Sequence, residues 1–76
     1  MNEQHFANTV RFVNEELIPR LIDFAERNGQ SVEDTYTTTL VEMAVVACNH
    51  GMPFSRLEQM IHAAWGIAKD ERGVLQ

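Results

Sequence analysis

Apolar residues in the first third of the chain recur at Phe6, Val10, Val13, Leu17, Leu21 and Phe24. Steps of three and four residues return to one side of a helix, so the pattern predicts a helix over residues 3–28 with a single apolar stripe. Ala7, Ile18, Ile22 and Ala25 widen that stripe, and Asn28-Gly29 suit a left-handed cap at its end. Pro19 lies inside the pattern and lacks the N–H that would reach the carbonyl of residue 15. Because the stripe holds phase on both sides, a kink near Glu15–Pro19 is expected. The alternative is a break with a new helix at Pro19, for which Ile18 would be a poor N-cap.

A second helix is expected over 32–50. Ser31 begins it as a cap, with Asp34 three residues on and Glu33 beside it at the positive end of the helix dipole. The run DTYTTT (34–39) is β-branched and argues for a strand, but Tyr36, Leu40, Met43, Ala44 and Ala47 keep helical spacing. In LVEMAVVAC (40–48) Glu42 is the one polar residue. A helix apolar nearly all round has to be covered on several sides, and two other helices of the same chain can cover about two of them. This segment is the main argument for a partner subunit.

The third helix is expected over 55–71. SRLE (55–58) has the form of a capping box, with Pro53 marking the end of the preceding turn. Leu57, Met60, Ile61, Ala64, Trp65 and Ala68 follow on one face, while Ala63, Ala64 and Gly66 permit close approach of another helix. At this spacing Met60 and Trp65 belong to a core, and they would mark an interface only if that stripe stood exposed. Gly73 is expected to end the helix, with 71–76 a loose tail.

The reading is therefore all-α: a single helical domain over 1–76, arranged as a small three-helix bundle around the second helix and completed by homodimerisation. The self-association surface is expected at Val41, Val45, Cys48, Met60, Ala64 and Trp65. Length supports a partner, since a core built from 76 residues seldom contributes more than about 3–5 kcal/mol. Apolar residues at 45% exclude intrinsic disorder, and one cysteine, Cys48, cannot form an intrachain disulfide. That thiol, in a mid-helix apolar run, is expected to be a buried small hydrophobe. A basic leader followed by an apolar run is not seen, nor a membrane-length apolar stretch, so the expected location is the cytoplasm.

Charge narrows the function. Residues 1–50 hold eight acids against three bases, which is −5, whereas 51–76 hold three of each, so the net charge of −5 lies in the first two helices. An acidic chain repels phosphate and lacks the counterion release that drives nucleic-acid binding. The exposed acids Glu15, Glu16, Asp23, Glu26, Glu33 and Asp34 are candidates for contact with another protein. Small, acidic and helical also describes many accessory proteins of phages and mobile elements, including inhibitors of host machinery.

The corner VACNHGMPFSRLEQMIHAAWG (46–66) resembles a phage-repressor-type helix-turn-helix over about 20 residues. Ala47, Gly51 and Leu57 occupy the places of the small residue, the turn glycine and the aliphatic anchor, and Met52 supplies the apolar residue after the glycine. His50 departs from the pattern, which has a buried apolar residue there, and so does Pro53. The resemblance implies, as the alternative function, a DNA-binding regulator whose recognition helix displays Ser55, Arg56, Gln59 and His62. Glu58 stands among them, and few cations follow to hold phosphate.

Metal and catalytic chemistry find less support. Cys48 and His50 lie about 200° apart on a helix, and no Cys-x-x-Cys or His-x-x-x-His pair occurs with His5 or His62. No nucleophile has a base at motif spacing, and no glycine-rich phosphate cradle is present. Glu42 is expected to face solvent or pair in a salt bridge. No enzyme activity, cofactor, metal or small-molecule substrate is expected.

Overall fold

A computed structural model describes residues 2–72. Of these 86% are helical and none forms a strand. The first helical segment, residues 3–27, consists of α1 (Glu3–Phe12), a π turn (Val13–Leu17) and α2 (Ile18–Arg27); α3 (Val32–Asn49) and α4 (Phe54–Glu71) follow. The expected helix end at Gly73 and the tail beyond it lie outside the described residues. The chain divides into two units, Met1–Val41 and Glu42–Gln76, with the boundary inside α3.

In the first unit, Asn2 caps α1 by accepting the His5 N–H on Oδ1 at 2.8 Å. The chain then stays helical through Pro19, with right-handed dihedrals at Phe12, Leu17 and Ile18. What changes is the hydrogen-bond register, since Ile18 N–H reaches back five residues to Val13 O. Pro19 explains the change: its ring would crowd the Glu15 carbonyl and offers it no donor, and a widened π turn relieves both.

The corner between α2 and α3 is closed by backbone. Gln30 N–H donates to Ala25 O at 3.0 Å and Gly29 N–H to Glu26 O at 3.3 Å, the paired bonds of a Schellman motif. Gly29 occupies the left-handed position it requires, at φ +65°. Ser31 then caps α3, its Oγ accepting the Asp34 N–H at 3.0 Å.

The threonine run is helical, and two of its hydroxyls fold back onto the chain. Thr35 and Thr37 donate to the carbonyls of Ser31 and Glu33 at 3.0 and 2.9 Å, which ties each β-branched side chain into the preceding turn. Thr35 also accepts from Gln30 Nε2 at 2.8 Å and is buried (4% exposed). Near the end of α2, Ala25 is fully covered (0%) and is the one buried apolar residue among those described.

In the second unit the α3–α4 turn repeats the same device. Met52 N–H donates to Ala47 O and Gly51 N–H to Cys48 O, with Gly51 at φ +104°. The expected Ser55 capping box does not form. Pro53 takes the N-cap place, at φ −75° and ψ 152°, with no side-chain cap, and its carbonyl receives the Arg56 and Leu57 N–H groups. Ser55 is thereby placed inside the first turn, and Glu58 sits too far along to reach back.

Candidate interaction surface

Large apolar side chains stand open on every helix. Phe6, Val10 and Phe12 are exposed on α1, Ile22 and Phe24 on α2, Tyr36, Leu40, Val41, Met43, Val45 and Val46 on α3, and Phe54, Met60, Ile61, Trp65 and Ile67 on α4. These faces are left uncovered in the single chain.

The expected self-association residues form two strips. Val41, Val45 and Cys48 follow at steps of four and three along one side of α3, with Val41 57% exposed and the Cys48 thiol exposed. Met60, Ala64 and Trp65 lie along α4, all exposed, with Trp65 at 58%. Two expectations are corrected here. Cys48 is not a buried thiol in the single chain, and Met60 and Trp65 are not core residues. The reason is the same in each case: the second unit by itself leaves these side chains exposed. The Arg72 guanidinium sits 5.4 Å from the centre of the Trp65 ring, a cation–π contact that covers one side of the indole.

All six acids proposed for partner contact are exposed. Two are engaged locally, Glu16 with Arg20 at 3.9 Å and Asp23 with Arg27 at 2.9 Å. These are exposed i,i+4 pairs, each worth about 0.3–0.5 kcal/mol. Glu15, Glu26, Glu33 and Asp34 form no ion pair among the described residues. Glu33 and Asp34 lie in the first turn of α3, where the dipole favours negative charge. Glu42 faces solvent and is likewise unpaired among the described residues.

Ser55, Arg56, Gln59 and His62 are exposed on the first half of α4, with Glu58 exposed among them. The four-residue turn before α4 has the length of a helix-turn-helix corner. His50 departs from that pattern in structure as in sequence: it is exposed, with ring Nδ1 3.1 Å from Val46 O. A carbonyl only accepts, so Nδ1 carries the proton in that contact.

One open cleft of about 510 Å³ lies in the first unit, lined by Leu21, Phe24, Gln30, Thr35, Thr38 and Thr39. Its polar lining is hydroxyl and amide, with neither an ionisable group nor a nucleophile–base pair. Among the described residues, no three His, Cys, Asp or Glu side chains gather as a metal would need, and no helix is long and apolar enough to cross a membrane.

Sequence pattern gave access to the apolar stripes and the two glycine corners. The Asn2 cap, the Gln30–Thr35 bond and the π turn were missed; Asn2 and Gln30 stand next to recognised helix ends, where a polar side chain is the available signal. The chain matches no protein-family model, no curated protein and no solved structure.

Proposed function

We propose that the chain is a non-catalytic, acidic interaction protein that assembles as a homodimer and binds another protein through its acidic first unit. The observation that carries this reading is the set of uncovered apolar faces on α3 and α4, which an interaction protein needs and a self-sufficient enzyme domain does not. The acids of the π turn, α2 and the first turn of α3 supply a second, chemically different surface for a basic partner, as in accessory or inhibitory proteins of phages and mobile elements.

The test has two arms. Light scattering should give a species near twice 8.7 kDa, and duplex DNA should show no anisotropy change with the protein even at low salt. A monomer at all concentrations would remove the self-association half of the reading. DNA binding that weakens on Arg56→Ala would replace the reading with DNA recognition by α4. For the acidic surface, Glu15→Lys with Glu16→Lys should reduce capture of a bound partner while leaving the dimer mass unchanged.

A further inference from the structure

The exposed apolar residues of α3 leave no bare side. With Leu40 placed at 0°, Val41, Val45, Val46 and Met43 fall at about 100°, 140°, 240° and 300° around the helix, so no gap exceeds about 100°. All five are exposed. A packed neighbour covers a stripe of about 100°, so α3 calls for three or so. The chain has two other helical segments, and each carries exposed apolar residues of its own, among them Phe6 and Val10 in one and Ile61 and Trp65 in the other.

Resting on the dimer reading above, we infer that folding and dimerisation are one step: the occupant of the α3 face is a second copy of this chain, and no folded monomer exists without it. Three observations select a copy over a foreign protein. The uncovered surface is spread over all four α-helices rather than gathered in one patch, so the missing contacts are those of a core and not of a docking site. With Ala25 as the one buried apolar residue among those described, the chain has nothing to hold it folded while it waits for a partner made elsewhere, whereas a second copy is present wherever the chain is made. The area also suffices. At about 100 Å² of apolar surface for a large side chain left wholly uncovered, the sixteen half-exposed ones offer roughly 800 Å² per chain and about 1,600 Å² for two, which at about 65% apolar corresponds to roughly 2,500 Å² in total, within the ~2,000–5,000 Å² of obligate homodimers.

The experiment is a dilution series on the full chain, following scattering mass, far-ultraviolet helicity and emission of the single tryptophan, Trp65, on the same samples. Mass should fall towards 8.7 kDa only as helicity disappears and the emission moves to the red, and the urea midpoint should rise by roughly 0.5–1 M per tenfold increase in concentration. A helical species that reaches monomer mass on dilution overturns the coupling and leaves the dimer reading intact. A helical monomer at every concentration overturns both. A chain that is monomeric and unfolded at every concentration, becoming helical only with another protein, also overturns the inference. Val45→Glu puts a charge in the covered arc and should give an unfolded monomer. Because loss of folding alone is ambiguous there, two copies joined by a flexible Gly/Ser linker provide the complementary variant. Its urea midpoint should not depend on concentration, and a linked protein that still required association to fold would defeat the proposal.

Discussion

At Ser31 and Ser55 the same residue type precedes an acid three positions on, and only one of the two acts as a cap. Ser31 Oγ accepts the Asp34 N–H, so Ser31→Ala should lower stability by about 1 kcal/mol. Ser55 lies inside a helix already started by Pro53, so Ser55→Ala should be neutral or stabilising by a few tenths of a kcal/mol. Urea midpoints at one fixed protein concentration compare the two, and equal losses would contradict the observed caps. The turn glycines separate in a similar way. Neither Gly29 nor Gly51 has an atom within 4 Å of where a Cβ would stand, so the cost of substitution is a backbone cost. Gly29 at φ +65° lies in the left-handed region that asparagine tolerates, while Gly51 at φ +104° lies beyond it. Gly51→Asn should therefore destabilise more than Gly29→Asn, by about 1 kcal/mol in the same assay.

At the scale of elements, helix placement was legible because periodicity, glycine corners and Ser31 all act locally. DTYTTT was ambiguous from propensity alone; it is helical, in keeping with the spacing of Tyr36, Leu40, Met43 and Ala47, and Thr35 and Thr37 place their hydroxyls on carbonyls four residues back. Pro19 was legible as a disturbance but not as a π turn, because the sequence shows the missing donor and not the register that replaces it. That assignment has a consequence. If Pro19 holds the turn open, Pro19→Ala restores a donor to the Glu15 carbonyl and lets residues 13–17 return to α-helical bonding. The variant should melt at a higher temperature, with a matching gain in helical ellipticity. Unchanged melting would mean that the π turn is maintained by something other than the proline.

For the whole molecule, burial was the part the sequence could not supply. A stripe such as Leu57–Ala68 reads identically whether it faces a helix of its own chain or of another, which is why Met60 and Trp65 looked like core and stand exposed. Charge then gives each functional reading a salt dependence of its own. Two chains of −5 each place −10 on one dimer, so association works against like-charge repulsion that salt screens within about 8–10 Å at moderate ionic strength. Raising sodium chloride from about 0.02 to 0.2 M should raise the melting temperature by a few degrees at constant protein concentration. Recognition of DNA through Arg56 and its neighbours is read in a separate titration, where affinity would fall steeply over the same range as counterions cease to be released at a gain. A melting temperature that falls with salt would show that attractive ion pairs outweigh the repulsion. The acids of α2 and of the first turn of α3 would then be engaged within the dimer rather than available to another protein.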